Sequence, residues 1–180
     1  MAALDDWPAA TLLQTARLSL EPLRIDHAEE MAPLLDDARL FGFIGGGPCT
    51  LDELRERYRR QVAGWSHDRQ ERWLNWILRD RDSGQAIGTT QATMTVDGDA
   101  FIGKIAWIVA SRHQGRGYAC EAAAAMAAWL REQGARILFA EIHPKHDASM
   151  GVARRLGLKP GEQILDSGEI RWARRDQILR

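Results

Sequence analysis

Read for the periodicity of its apolar positions, the chain divides into short strand-like and helix-like stretches that follow one another without a linker or internal repeat. Leu18, Leu20 and Leu23 alternate with Ser19 and Glu21, which predicts a first strand over residues 17–23 ending near Pro22. Asp26 as a cap, Glu29 and Glu30 in a first turn, and Met31, Leu34, Leu35 and Ala38 at helical spacing predict a helix next. Pro33 lies near enough to its start to be tolerated. The breaker cluster Gly45-Gly46-Gly47-Pro48 predicts a loop over residues 41–50. Thr50-Leu51-Asp52-Glu53 has the form of a capping box, so a second helix opens there, with Leu54, Tyr58, Gln61, Val62 and Trp65 along one side. Its opposite side carries Arg55, Arg57, Arg59 and Arg60 interleaved with Glu53 and Glu56, which reads as a solvated face, with a substrate-facing role as the alternative.

From Arg72 the period changes to two. Trp73, Asn75, Ile77 and Arg79 oppose Leu74, Trp76 and Leu78, and Asp82-Ser83-Gly84 makes a turn. Residues 86–96 are rich in Ile, Thr and Val, with Gly88 among them, and Asp97-Gly98 marks a second turn before residues 100–110. Three consecutive antiparallel strands are the economical reading. An alanine-rich helix follows over residues 118–132 with Gly134 as its C-cap, then a buried strand over 137–142 and a helix over 148–156 closed by Gly157. Residues 163–172, around Asp166-Ser167-Gly168, predict one or two weak terminal strands.

Between the third of those strands and the alanine-rich helix stands Arg112-His113-Gln114-Gly115-Arg116-Gly117-Tyr118-Ala119. Two glycines one residue apart allow consecutive N–H groups to point into one concavity, and the following helix adds its positive dipole end. Such a nest suits a phosphate, and Arg112 and Arg116 add charge that favours a pyrophosphate over a plain carboxylate. A dinucleotide-binding reading is poor because no third glycine or alanine follows at the required place. A Walker loop is excluded by the missing Gly-Lys-Ser/Thr ending.

Composition changes this picture little. The 180 residues are 45% hydrophobic and 27% charged, which fits one globular domain, and 24 Lys and Arg against 25 Asp and Glu leave a net charge of −1. No global field recruits nucleic acid, no run reaches membrane-spanning length, and neither Cys49 nor Cys120 sits in a metal-type spacing, so no metal site is expected. Two cysteines and an N-terminus unlike a secretory signal fit a cytoplasmic protein. Residues 1–15 read as a loosely held arm ahead of a single domain over 16–180.

Arg112-x-x-Gly115-x-Gly117-Tyr118-Ala119 resembles the acyl-coenzyme A pyrophosphate loop of the GNAT superfamily of N-acetyltransferases. Downstream, Pro144-Lys145-His146-Asp147-Ala148-Ser149 followed by Val152, Arg155, Leu156, Gly157 and Leu158 resembles that superfamily's Pro-x-Asn-x-Ala-Ser segment and helix-ending Lys-Leu-Gly-Phe. This variant is similar to the branch containing ribosomal-protein N-terminal acetyltransferases, and the resemblance covers residues 16–172. It implies an α/β (α+β) fold with a mixed, mostly antiparallel sheet flanked by helices and split by the cofactor. It also implies acetyl-CoA as that cofactor, and transfer of acetyl to a primary amine by direct attack in a ternary complex.

Residue by residue, the resemblance gives the pyrophosphate to Gln114, Gly115, Arg116, Gly117, Tyr118 and Ala119 with Arg112 beside them, and the pantetheine to the strand edge at Ile108, Val109 and Ala110. Arg155 belongs to the same cofactor set. Ser149 matches the position that assists the departing sulfur, with a helix cap as its other use. His146 stands where the family usually has Asn; it can bind the cofactor, titrate near neutral pH or do neither. Relatives carry an acid near Lys104, so the proton acceptor is left to Glu141, His143 or water. Glu121 reads better as a cap of its own helix than as a contact of the cofactor loop. The acceptor is a small-molecule amine or a protein N-terminus, the state a monomer or homodimer, and a catalytically silent acyl-CoA sensor is the alternative to an enzyme.

Overall fold

A computed structural model describes residues 7–98 and 100–174. Strands β1 (Leu13–Gln14) and β2 (Leu18–Pro22) lead into helices α1 (Ala28–Leu35) and α2 (Leu51–Ala63). Strands β3 (Arg72–Asp80), β4 (Ala86–Asp97) and β5 (Ala100–Val109) come next, then α3 (Tyr118–Glu132), β6 (Ala135–Ile142), α4 (Asp147–Arg155), β7 (Lys159–Ile164) and β8 (Ile170–Ala173). The strands form one sheet in the order β1-β2-β3-β4-β5-β6-β8-β7, and among the described residues β5 and β6 are its one parallel pair. This is the mixed, mostly antiparallel sheet that the family resemblance implies. A parallel pair needs a crossover, which α3 supplies.

Local chemistry sets most boundaries. Thr50 Oγ1 accepts the Glu53 N–H at 3.3 Å while Glu53 accepts the Thr50 N–H at 2.8 Å, so the predicted capping box starts α2. A cap of this kind contributes about 1 kcal/mol. Asp26 does not cap α1 as expected. His27 Nδ1 accepts the Arg24 N–H at 3.1 Å, which winds Ile25–His27 into a 3-10 turn, and Asp26 pairs with Arg24 instead.

Strand alternation then builds two cores. Leu74, Trp76 and Leu78 of β3 share one face with Met94, Ile105 and the α3 residues Ala122, Met126 and Leu130. Ile77 faces the other way, toward Met31 and Leu34 of α1 and Leu54 and Tyr58 of α2. Full burial of side chains of this size contributes roughly 1.5–3 kcal/mol each. Arg79 ties the second layer to the sheet edge, bonding Glu21 of β2 at 3.0 Å and Glu30 of α1 at 2.6 Å.

The N-terminal segment differs from the loose arm expected over residues 1–15. Residues 1–6 lie outside the described residues, but Trp7 packs edge-on against Phe101 with centroids 5.0 Å apart and tilts against Trp65 at 5.3 Å. The Pro8 carbonyl accepts from Arg72, the Thr11 carbonyl accepts from the Trp76 indole, and Leu13–Gln14 pairs with β2. Tryptophan offers enough apolar area to outweigh the entropy of ordering the segment, which a reading of local periodicity misses.

Glu121 does not cap its own helix, nor does it touch the cofactor loop directly. Its carboxylate accepts from the Thr15 hydroxyl at 2.6 Å, the Arg17 N–H at 2.9 Å and Arg17 Nε at 2.7 Å, so it staples the start of the sheet to α3. Burial pushes the Glu121 carboxyl upward, but these donors outweigh it and the net shift is downward. A carboxylate held below its unfolded value of 4.5 stabilises the fold above that pH and loses the contribution as pH falls through the lowered value. Glu121→Gln is therefore expected to lower stability by about 2 kcal/mol at pH 7. In urea titrations the deficit should shrink at acid pH, and equal stability of the two proteins at neutral pH would show that the staple does not matter.

Candidate active site

The site begins where two strands part. β5 and β6 pair from Phe101 with Ala135 to Lys104 with Phe139, and there the pairing ends although β5 runs on to Val109 and β6 to Ile142. The far half of β5 is thereby left with a free edge toward the gap, and backbone N–H and C=O groups on such an edge are ready to pair with an extended ligand. On its other side that half of β5 is fixed by β4, through Thr89 with Ile108 and Gly88 with Val109. A Cβ on Gly88 would stand 2.2 Å from the Ile108 carbonyl oxygen, so the approach admits glycine alone. The Gln114 amide donates to the Val109 carbonyl at 2.9 Å, joining the loop to the end of the strand.

The chain leaves β5 through a 3-10 turn at Ser111–His113 and reaches α3 with both loop glycines left-handed, Gly115 at φ 76° and Gly117 at φ 82°. Gly117 is the N-cap of α3 and bonds no side chain there, so the helix presents its first N–H groups to the loop. Arg17 braces the turn, donating to the Arg116 carbonyl at 3.0 Å and lying 4.6 Å over the Tyr118 ring. The Tyr118 hydroxyl donates to Asp80 at 2.9 Å. Asp80 is held down to about 2 by the Ser83 N–H and hydroxyl together with that phenol.

The third wall comes from α4. His146 occupies its N-cap position, with no side-chain cap bond, and Ser149 follows in the first turn. The two side chains lie 3.5 Å apart on the same turn, and Ser149 does not cap the helix. Phe43, from the glycine-rich loop, stacks on the His146 ring with centroids 4.7 Å apart and planes 21° apart, and is 5.3 Å from His143. Burial pushes the His146 imidazole below 6.5, and His143 adds to the shift, so His146 is neutral at pH 7. His143 Nδ1 accepts the Lys145 N–H at 3.2 Å.

These elements enclose a cavity of about 740 Å³. Of the residues expected from the sequence, Ile108, Val109, Gln114, Gly115, Gly117, Tyr118, Ala119, His146, Ser149 and Arg155 line it. Ala110, Arg112 and Arg116 do not. Ala110 is buried in the core beneath α1 and α2, and the two arginines are exposed, with Arg112 donating to His113 at 3.0 Å. The cations that do line the cavity are Arg39, Lys145 and Arg155. Arg155 also donates to Cys120 Sγ at 3.3 Å.

Glu141 and His143 lie outside this lining. Glu141 is clamped between Lys104 and Arg171, each holding one of its oxygens. Burial raises its pKa but the two cations outweigh that and the net shift is downward, which makes it a poor proton acceptor. Reasoning from spacing missed Phe43, Cys120 and Lys145, and it passed over Gly88, whose place inside a β-rich stretch was the one available signal of a close backbone approach. Among the described residues no three His, Cys, Asp or Glu groups gather as a metal site, and no helix is long and apolar enough to cross a membrane.

The family sequence model described as an Acetyltransferase (GNAT) domain matches residues 17–159. The chain belongs to the GNAT acetyltransferases. A Bacillus subtilis relative, described only as the uncharacterized protein YkkB, is 28% identical over 137 residues, covering 72% of this chain and 79% of its own. The GNAT-family acetyltransferase of Bacillus anthracis has the same fold at 17% identity, with a TM-score of 0.73 over 91% of this chain and 97% of that one. So has RimL, a ribosomal-protein α-N-acetyltransferase solved in complex with coenzyme A, at 16% identity and a TM-score of 0.74 over 91% and 97% of the two chains.

In this GNAT chain the close approach of Gly88 fixes how near β4 lies to the Ile108 backbone. Gly88→Ala forces that backbone to move and is expected to weaken coenzyme A binding about tenfold or more, since binding of this kind depends on the placement of a strand edge. Calorimetry on the variant, with circular dichroism to confirm the sheet, checks it; unchanged affinity would remove the Ile108 edge from the site.

Proposed function

We propose that the chain is an N-acetyltransferase that uses acetyl-CoA and passes its acetyl group directly to an amine. The observation that carries this reading is the coincidence of three features at one cavity: the free edge of β5, the glycine nest at the start of α3, and Ser149 with His146 at the start of α4. RimL has a coenzyme A complex, and a further structural neighbour is an acetyltransferase in complex with acetyl-CoA and AMP, which supports the same donor here. The residues fit such a group. Residues 114–119 offer N–H groups and a helix dipole to a pyrophosphate, Arg155 and Lys145 add positive charge, and the half of β5 beyond Lys104 offers a strand edge to an extended amide chain.

Acetyl-CoA supplies the activated acyl group as a thioester. The protein's part is to hold and orient it beside the gap between β5 and β6, with a backbone N–H near Val109 as the donor to the oxyanion. Ser149 Oγ is the proton donor toward the departing sulfur. His146, neutral at pH 7 and 3.5 Å from Ser149, is a better proton acceptor than the doubly paired Glu141. The acceptor is a small-molecule amine or a protein N-terminus; RimL's description as a ribosomal-protein α-N-acetyltransferase supports the latter class.

Thiol release from acetyl-CoA over a panel of amines, with coenzyme A binding measured alongside, tests the activity. Tight binding with no turnover on any amine would leave a binding module. Given an active amine, Ser149→Ala is expected to lower kcat by roughly 100-fold while coenzyme A affinity changes by less than about threefold. An equal loss in both would make Ser149 a binding residue only. His146→Asn keeps a hydrogen-bonding side chain but removes the titration. The native enzyme should lose activity as pH falls below 6.5, through the lowered His146 value, and the variant should lack that limb. Superimposable pH profiles would exclude His146 as the proton acceptor.

A further inference from the structure

The sheet face that carries α1 and α2 is only partly covered. Beyond Ile77 it continues to Asn75 and Trp73 on β3, Gln91 and Thr93 on β4, and Ala106 and Lys104 on β5, with Asn75 opposite Gln91, Gln91 opposite Ala106, and Thr93 opposite Lys104. Gln91 and Lys104 are exposed although they stand in the middle of an eight-stranded sheet. A central sheet face destined for a helix reads as apolar; this floor is amide and hydroxyl.

α2 forms one wall of a separate cavity of about 240 Å³ over this floor, contributing Arg57, Arg60 and Gln61. No carboxylate lines it. Arg55 is neutralised by Asp52 and Glu29, and Arg59 by Glu56, which lies 3.7 Å from Arg60 as well. Arg57 has no ion pair among the described residues. Asn75 is 8% exposed and lines the cavity with its side chain. Two guanidinium groups, three side-chain amides and a hydroxyl form a donor set for a planar two-oxygen anion.

The volume is below the roughly 300–1,000 Å³ of a whole small-molecule site, so the cavity holds one group of a larger molecule. From Asn75 across Gln91 to Ala106 is two inter-strand steps, ~10 Å, and Ala106 lies on the half of β5 that has parted from β6. A molecule anchored at Arg57 and Arg60 can therefore reach the gap with its other end.

We propose that this cavity is the acceptor's anchoring subsite and takes a carboxylate, so that the acceptors are amines with a carboxylate about 10 Å from the nitrogen. The inference rests on the acetyltransfer reading for the amine end, and on the cavity alone for the carboxylate end. It reassigns the basic face of α2, which the sequence reads as solvated, to substrate selection.

Thiol release is measured on matched pairs: ω-aminooctanoate against its amide, and an amidated tripeptide ending in aspartate against its asparagine counterpart. The carboxylate member of one pair is expected to have the higher kcat/KM by about tenfold or more, and whichever pair shows it identifies a small molecule or a peptide as the source. The preference should fall below about threefold in Arg57→Gln/Arg60→Gln, whose substitutions keep helix propensity. Equal use of both members of each pair, or a preference that survives in the double variant, overturns the proposal, as does a stronger preference for an ω-aminoalkyl phosphate. Binding of glutarate to the coenzyme A-loaded protein, followed by NMR, needs no turnover: loss of its shifts in the double variant supports the carboxylate site even if no amine is acetylated, and absence of shifts in the native protein overturns it.

Discussion

Everything that makes this sheet more than a scaffold follows from the parting of β5 from β6. A parallel pair that stays zipped would satisfy the backbone groups of both strands and leave no opening. Here pairing stops after Lys104 and Phe139, and at that point Lys104, Glu141 and Arg171 join β5, β6 and β8 through side chains. The carboxylate that spacing suggested as a base is better understood as the fastening at the crotch of the fork. Its ionised state is what the two cations require, and its lowered pKa is the electrostatic record of that.

A fork alone would expose unpaired backbone to water without purpose. What turns it into a site is the placement of two helix N-termini at its mouth, α3 after the glycine turn and α4 after His146. Neither carries a side-chain cap, although α2, away from the fork, has a full capping box. Leaving orphan N–H groups uncapped lowers helix stability slightly and keeps those donors available to an anion. The turn before α3 is held from outside by Arg17, Glu121, Tyr118 and Asp80, so its geometry does not depend on a ligand.

Two cavities of different chemistry open near the fork. On one side lies the larger cavity with the glycine nest, Arg155 and Lys145. On the other, the amide-lined floor runs from the fork toward Arg57 and Arg60. On the proposed reading, donor and acceptor approach one gap from separate cavities, as direct transfer requires. Phe43, stacked on His146, places the glycine-rich loop beside the same gap.

By itself the sequence determined the central strands, the capping box at Thr50, the crossover helix and the nest at Gly115 and Gly117, because each is fixed by neighbours a few residues apart: period, cap chemistry and the left-handed backbone that glycine admits; β1 and the start of β7 at Lys159 lay outside its strand reading. It also carried enough of the cofactor loop and of the segment around Ser149 to point to the family. Only the tertiary structure decided which charges are free. Glu141 meets Lys104 across a sequence separation of 37, and Glu121 meets Arg17 across 104, and no local pattern encodes either. The same limit explains the two arginines of the loop that stay in solvent, the N-terminal tryptophan that orders its segment, and the sheet face left uncovered beside α2. Pairing and burial are properties of what the fold brings together, and those contacts are set by packing rather than by spacing along the chain.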